Sequence, residues 1–245
     1  MKKNAVTVTN LCISYKSMKR LSLRTGFIKS FVQKKEEFKA LKGVSFEIEE
    51  GKILGIIGKN GSGKSTLLRA IAGIFSPDKG KINLHGNTVS LLSIGVGFNK
   101  KLTGYENIYL SGLLLGFDKK YIEKKESEII EFADIGDFIY KPVKTYSSGM
   151  YSKLAFAITA ILETDIMLID EILSVGDVQF KEKSYNKMKE LINDEKRTVI
   201  IVSHNLQTIK SLCNEVLWLH NGEVKRIGTA KEVISEYELY MKEEK

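Results

Sequence analysis

The residues best suited to chemistry form the run GKNGSGKS at residues 58–65. This run matches the pattern G-x-x-x-x-G-K-[ST], whose glycines let consecutive backbone N–H groups turn inward around an anion. Lys64 would reach the β- and γ-phosphates of a nucleotide, and the Ser65 hydroxyl would supply one ligand to Mg²⁺. The spacing therefore predicts a nucleotide-phosphate site in residues 58–65, called the phosphate loop below.

Polar residues follow two later apolar runs. Asp170 and Glu171 come directly after the apolar run 166–169, and His204 follows the β-branched run 198–202. Such strand ends are where an open α/β sheet binds its ligands. Asp170 suits Mg²⁺, Glu171 suits a general base for water, and His204 suits contact with the γ-phosphate. An isolated Asp-Glu pair is more often a turn and a single His a surface residue, but the upstream loop favours the chemical interpretation.

Regular elements must position these residues. The apolar run 52–57 predicts the strand that enters the phosphate loop, and apolar spacing predicts a helix over 64–73. Asn221-Gly222 predicts a hairpin between strands 215–219 and 223–227. Further strands are predicted at 6–15 (with a bulge near Asn10), 40–49, 81–84, 88–93, 165–170 and 198–202, and further helices at 103–116, 119–133, 147–162, 177–193, 205–212 and from 229. The alternation of strands and helices predicts a parallel sheet covered on both faces.

Composition indicates an ordinary globular chain. Of its residues 43% are hydrophobic and 28% are charged, which is typical of globular proteins. Its length of 245 residues is enough for the core of one domain or of two closely joined lobes. Two cysteines and no signal peptide predict a reduced, cytosolic protein with neither a disulfide framework nor a cysteine metal site. Since no apolar run approaches the roughly 20 residues that cross a bilayer, we expect any membrane span to come from another chain.

The net charge of +8 is concentrated in one segment. Residues 16–39 hold eight basic and two acidic residues, and the rest of the chain is nearly balanced. Within this basic segment, Phe27, Ile28, Phe31 and Val32 share one face of a short predicted helix. The segment is either a solvated loop whose apolar residues pad the domain, or an amphipathic element that touches anionic lipid or a partner protein.

The order of these motifs resembles that of ATP-binding-cassette (ABC) ATPases over nearly the whole chain. The resemblance rests on Tyr15, the phosphate loop, YSSGM at 146–150, the strand 166–171 and SVGD at 174–177, with His204 last. YSSGM is similar to the family's signature motif, with Ser148 in place of a second glycine and Met150 in place of glutamine.

The resemblance implies an α/β P-loop NTPase (RecA-like) fold. Its mixed sheet core would carry an antiparallel β subdomain and a helical subdomain, about residues 94–160, that bears the signature. Residues 1–245 would form a single ABC ATPase domain with the basic insertion at 16–39.

The family resemblance also implies roles for individual residues. Two copies of the chain would face head to tail and enclose two ATP molecules, with Asp177 at the seam and Tyr15 stacked on the adenine. Ser147 and Gly149 would reach the γ-phosphate bound by the opposite copy, so that ATP closes the dimer and hydrolysis reopens it. The implied catalytic residues are Glu171, His204 and Lys64, and the metal ligands are Ser65 and Asp170. The implied ATP-binding residues are Tyr15, Gly58, Lys59, Asn60, Gly61, Ser62, Gly63, Lys64, Ser65, Thr66, Ser147, Ser148 and Gly149.

Residues 91–99 differ from the family pattern, and the same region indicates a subfamily. The family carries a glutamine that helps to coordinate Mg²⁺ between the phosphate loop and the signature. Residues 91–99 contain none, and although Ser93 stands near its place, no residue is assigned to this role. Residues 91–107, 142–150 and 175–177 are similar to ATP-binding subunits that export bacterial surface polysaccharides, O-antigen or teichoic acid. That similarity implies two copies of a polytopic permease at the cytoplasmic face of the cell membrane and a lipid-linked polysaccharide substrate. No C-terminal carbohydrate-binding domain is expected.

The sequence leaves two other classes of function open. The net charge of +8 would suit an ABC protein that acts on nucleic acid or the ribosome. However, the charge lies in one insertion without interleaved base-stacking aromatics, and paired cassettes, long coiled coils and zinc modules are not visible. No nucleic-acid partner is therefore expected. The other alternative is a subunit of a nutrient importer. An importer would differ from an exporter because its membrane chain needs a substrate-binding protein.

Overall fold

A computed structural model describes residues 3–17, 36–92, 97–170, 177–194 and 196–243. The strands in these parts are β1 (Asn4–Ser17), β2 (Glu36–Glu49), β3 (Ile53–Ile57), β4 (Lys79–Asn83), β5 (Val89–Leu92), β6 (Ile166–Asp170), β7 (Thr198–Val202), β8 (Glu215–His220) and β9 (Glu223–Thr229). The helices are α1 (Lys64–Ile71), α2 (Gly104–Leu114), α3 (Lys119–Ala133), α4 (Ser148–Ile161), α5 (Val178–Ile192), α6 (Leu206–Leu212) and α7 (Ala230–Glu243).

The larger sheet has the strand order β5-β6-β7-β3-β8-β9. Its first five strands are parallel and β9 is antiparallel to β8. One face packs on α1 and the second sheet, and the other packs on α4, α5, α6 and α7. Cover on both faces explains why β6 and β7 read as continuous apolar runs. The predicted parallel sheet is confirmed, with an antiparallel strand added at one edge.

The smaller sheet is antiparallel, in the order β2-β1-β4. The predicted bulge near Asn10 is confirmed, because the β1–β2 register shifts between Val8 and Leu11 and Asn10 has a φ of 48°. Strand β2 begins at Glu36, four residues before its predicted start, since it pairs with the end of β1. Tyr15 thereby lies directly opposite Phe38.

Helices α2, α3 and α4 share an apolar core distinct from the cores on the two faces of the larger sheet. The predicted capping box begins α2, where the Thr103 hydroxyl accepts from Glu106 N and the Glu106 carboxylate accepts from Thr103 N. Helix α4 begins where its pattern predicted, with Ser147 as its N-cap. This layer holds the YSSGM stretch at one end of α4.

Some sequence predictions lie outside the described residues: those on Glu171, Ser93, residues 174–176 and residues 18–35 of the basic segment. The predicted hairpin is confirmed, since Asn221 and Gly222 join β8 to β9 with φ values of 49° and 84°. Within the described parts of the chain, no helix is both long and apolar enough to cross a membrane.

Candidate nucleotide-binding site

The phosphate loop joins the buried strand β3 to helix α1, as predicted. Its backbone leaves β3 at Gly58 with a φ of 148° and enters α1 at Gly63 with a φ of 105°. A Cβ atom would lie 2.1 Å from the Leu219 carbonyl oxygen at Gly58 and 2.6 Å from the Ala40 carbonyl oxygen at Gly63. Both backbone angle and space therefore require glycine where the loop passes its neighbours.

Lys64 carries its positive charge back over the loop. The side chain is buried, and its ammonium donates to the carbonyl oxygens of Gly58 at 2.8 Å and Lys59 at 2.9 Å. Helix α1, which is described in full, has no side-chain cap and no acidic residue in its first turn. The ammonium and the helix N-terminus both favour an anion at the loop.

Asp170, at the end of β6, contacts Ser65 at the end of the phosphate loop. The Ser65 hydroxyl donates to Asp170 Oδ1 at 3.3 Å, which brings a hydroxyl and a carboxylate together where β6 ends. Mg²⁺ prefers such hard oxygen ligands, usually one or two from protein together with waters and phosphate oxygens. The residues present therefore fit the metal that the sequence predicted.

These residues surround one cavity of about 230 Å³. Its lining comes from the phosphate loop and α1, from the ends of β6 and β7, and from β2. The lining residues are Asn60, Gly61, Gly63, Lys64, Ser65, Thr66, Asp170, Val202, His204, Phe38 and Ala40. Asp170 pairs in register with Val202, so the two strands end together and bring His204 to the same edge. Residues far apart in the sequence thus converge where the loop expects phosphate.

The turn between β8 and β9 hydrogen-bonds to the phosphate loop, a contact that the sequence did not predict. Gly222 N donates to the Ser62 carbonyl oxygen at 3.0 Å, and Lys42 N donates to the Gly222 carbonyl oxygen at 2.8 Å. The sequence predicts Asn221-Gly222 as the turn of a hairpin, with no contact to the phosphate loop. No local pattern marks the backbone contact, because it joins segments about 160 residues apart.

Tyr15 on β1 lies directly opposite Phe38 on β2. The Tyr15 hydroxyl is 3.0 Å from Thr66 Oγ1 and its ring makes an edge contact with Phe75, but Tyr15 does not line the cavity. Phe38 does line it. Phe38 was not predicted as a site residue because residues 16–39 were predicted to form the basic insertion, whereas Phe38 lies in β2. The stacking role of Tyr15 stays a prediction.

Residues of the YSSGM stretch, the predicted signature, line a different cavity, of about 390 Å³. Ser147 caps α4 by accepting from Met150 N at 3.2 Å, and Ser147 and Ser148 both line this second cavity. The two cavities share no lining residue. A Cβ atom at Gly149 would meet only the Ser147 hydroxyl, at 3.8 Å, so the N-terminus of α4 is open on that side. Within one chain, the YSSGM stretch and the phosphate loop therefore line separate cavities.

Comparison with protein families finds a match to the ABC transporter family over residues 41–174. That range holds the phosphate loop, the YSSGM stretch and Asp170, and it covers more than half of the chain.

Similar curated proteins are named as export subunits. The chain is 45% identical over 209 residues to the teichoic acids export ATP-binding protein TagH of Staphylococcus epidermidis, covering 85% of this chain and 78% of that protein. It is 49% identical over 203 residues to TagH of Bacillus anthracis, covering 83% of this chain and 37% of that protein. It is 44% identical over 198 residues to the O-antigen export system ATP-binding protein RfbB of Myxococcus xanthus, covering 81% and 45%. The chain therefore spans less than half the length of the latter two relatives.

Solved structures share the fold. A dimeric post-hydrolysis ATP-binding cassette bound to ADP and Pi matches with a TM-score of 0.67 and 22% identity, covering 92% of this chain and 98% of that one. An ATP-binding subunit of an ABC transporter matches with a TM-score of 0.70 and 20% identity, covering 96% and 94%. The α/β P-loop NTPase fold with its mixed sheet is confirmed.

Proposed function

Because this chain belongs to the ABC transporter family, we propose that it is the ATP-hydrolysing subunit of an exporter of a lipid-linked surface polysaccharide. The observation that carries this proposal is the convergence of Lys64, Asp170 and His204 around the cavity of the phosphate loop. The named export functions of the similar proteins give the substrate class, O-antigen or teichoic acid.

Phosphate binding would begin at Lys64. Its ammonium now donates to two loop carbonyls, and it would turn part of its hydrogen bonding to the β- and γ-phosphates. The first turn of α1 would offer backbone N–H groups to the same phosphates. Ser65 and Asp170 would hold Mg²⁺, which neutralises charge on the phosphate oxygens when bound.

Hydrolysis would be performed by residues at two adjacent strand ends. Glu171 follows Asp170 directly, and in the proposed role its carboxylate takes a proton from the attacking water. His204 follows β7 and would contact the γ-phosphate, since it lines the same cavity. Because both strands lie in the interior of the larger sheet, their ends provide a rigid frame for these groups.

The complete site would need two copies of the chain. Ser147 and Ser148 line a cavity that shares no residue with that of the phosphate loop, so in a head-to-tail pair they would approach the nucleotide of the other copy. Ser147 and the N–H groups at the start of α4 suit a phosphate. Two copies of a polytopic permease would supply the membrane span and hold the dimer at the cytoplasmic face of the cell membrane.

Purified variants test the hydrolytic role. Glu171→Gln should retain ATP binding but lower turnover by a factor of about 10² to 10⁴, because the general base is lost. Lys64→Ala should lose ATP binding itself. The control is Glu182→Gln, which changes an exposed carboxylate on α5 in the same way and should leave turnover unaltered. Unchanged turnover in Glu171→Gln would contradict the assignment.

The export role is tested in cells. Replacing the chromosomal copy by Lys64→Ala should reduce surface polysaccharide and make its lipid-linked form accumulate inside the cell. Normal surface polysaccharide, together with an active purified wild-type ATPase, would contradict polysaccharide export and leave ATP hydrolysis standing.

A further inference from the structure

An aromatic side chain near the end of α7 contacts the phosphate loop. The Lys59 ammonium lies over the ring of Tyr240, with 5.5 Å from its nitrogen to the ring centroid. An ammonium within about 6 Å of a ring centroid is attracted to the face of the ring. Both residues lie outside the set of described residues that line the phosphate cavity, so this contact is not part of the phosphate chemistry. It joins the second residue of the loop to a helix about 180 residues further along the chain.

The ring of Tyr240 is held in place by residues other than Lys59. Its centroid lies 5.1 Å from that of the buried Trp218 and 5.5 Å from that of His220, both on β8. The Lys225 ammonium lies 3.5 Å from the same centroid. Lys225 is the extra residue of a bulge in β9, since the β8–β9 register shifts at this point. The end of α7 therefore presents a fixed ring to the Lys59 side chain.

The backbone of Lys59 connects this contact to the proposed phosphate-binding ammonium. The Lys59 carbonyl oxygen accepts from the Lys64 ammonium at 2.9 Å and from Ser62 N at 3.2 Å. The position of Lys59 thus fixes both the resting place of the Lys64 ammonium and the curvature of the loop. A shift of Lys59 would move the donors that a phosphate has to meet together, although Tyr240 itself touches none of them.

From these contacts, and resting on the proposed ATP-binding function, we propose that Tyr240 is a positioning residue for the phosphate loop. Its ring holds the Lys59 side chain and keeps the loop in the arrangement that binds phosphate, so less order has to be gained on binding. Coupling of this kind is reciprocal. Docking of the end of α7 strengthens phosphate binding, and a phosphate in the loop strengthens the docking of α7 by the same factor.

Equilibrium affinities of the full chain for ATP and for inorganic tripolyphosphate, with Mg²⁺, test the role of the ring. Tyr240→Leu should weaken both ligands by the same factor, about 2- to 5-fold, which is the range for loss of one partly exposed cation–π contact. Tyr240→Phe keeps the ring and should bind both ligands as the wild type does. The matched control is Tyr237→Leu, which removes another α7 ring that packs on Trp218, with the centroids 5.2 Å apart. It should leave both affinities unaltered.

A double-mutant cycle separates positioning from packing. Lys59→Met keeps most of the apolar stem of the side chain and removes the ammonium. In this background Tyr240→Leu should cause no further loss of affinity, because the contact through which it acts is already gone. The same substitution should still lower the urea midpoint, since the Tyr240 ring also packs on Trp218. A merely structural role would weaken ligand binding equally in both backgrounds.

Hydrogen exchange measures the reciprocal effect on α7. Saturating tripolyphosphate should slow exchange of the backbone amides of residues 237–243 by about 2- to 5-fold in the wild type, and should not slow it in Lys59→Met. The proposal is overturned if Tyr240→Leu leaves affinity unaltered, if Tyr240→Phe binds as weakly as Tyr240→Leu, or if the loss persists in the Lys59→Met background. Failure of the wild type to bind tripolyphosphate would instead contradict the phosphate site and the proposed function.

Discussion

At Gly58 the chain leaves a buried strand and passes beside another one. The φ of 148° and the Leu219 carbonyl oxygen on the Cβ side leave no room for any other residue. Gly61 also has a positive φ, 78°, but a Cβ atom there would meet nothing within 4 Å. A side chain at residue 61 would therefore meet backbone strain alone, whereas one at residue 58 would meet both strain and a steric clash.

Gly58→Ala should lower the free energy of unfolding by about 2–4 kcal/mol, because it adds a clash to a strained backbone angle. Gly61→Ala should cost only about 1 kcal/mol, the strain alone. Urea denaturation of both variants measures the difference. Equal losses would mean that the approach of Leu219 to the loop does not restrict residue 58.

At the scale of the elements, an ion pair joins helix α4 to the start of helix α5. Lys153 on α4 has its ammonium 2.6 Å from the Asp177 carboxylate, which also caps α5 by accepting from Phe180 N at 2.9 Å. Lys153 further lies over the ring of Phe180, with 5.2 Å from its ammonium to the ring centroid. The start of α5 is thereby tied to α4 by charge, hydrogen bond and aromatic contact.

Hydrogen bonding from Lys153 holds the pKa of Asp177 below its ordinary value. A carboxylate with a lowered pKa in the folded state stabilises the fold fully above its unfolded pKa of about 3.9, and this contribution is lost as the pH falls through the lower folded value. Asp177→Asn keeps an N-cap but removes the charge. The wild type should therefore be more stable than Asp177→Asn at pH 7, and the difference should shrink below about pH 4.

The measurement is the urea midpoint of each protein from pH 7 to pH 3. In a Lys153→Met background, which keeps most of the apolar stem, the two versions of residue 177 should differ little at any pH. A pH-dependent difference that survives in this background would assign the effect to the helix terminus rather than to Lys153.

For the whole molecule, the separation of the two cavities makes a prediction about mixed dimers. Lys64→Ala damages the phosphate loop, and Gly149→Glu places a carboxylate at the start of α4, where a Cβ atom has space. Each variant alone should be inactive. In a mixed dimer one site combines both defects, and the other combines two intact halves.

Mixing the two inactive proteins should restore ATP turnover, up to about a quarter of the wild-type value, because about half of the dimers are mixed and each has one intact site. The control is a mixture of Lys64→Ala with Ser65→Ala, whose defects lie in the same half-site and should not complement. No recovery in the first mixture would contradict a site shared between two copies.

Features that depend on residues close together in the chain follow from the sequence alone. The phosphate loop, the capping box at Thr103 and the turn at Asn221-Gly222 were predicted because each is stabilised by hydrogen bonds or backbone angles within a few residues. Strands β6 and β7 were predicted because burial on both faces leaves a continuous apolar run.

Which surfaces pack against each other depends on the tertiary fold. Pairing with β1 extends β2 to Glu36, and this brings Phe38 to the rim of the phosphate cavity and leaves Tyr15 on Thr66. Packing of the β8–β9 turn against Ser62 makes a distant hairpin part of the loop's support. These contacts join segments between about 20 and 160 residues apart. The spacing of apolar residues along the chain predicts which face of a helix or strand is buried. It does not predict which distant backbone segment or aromatic ring packs against that face.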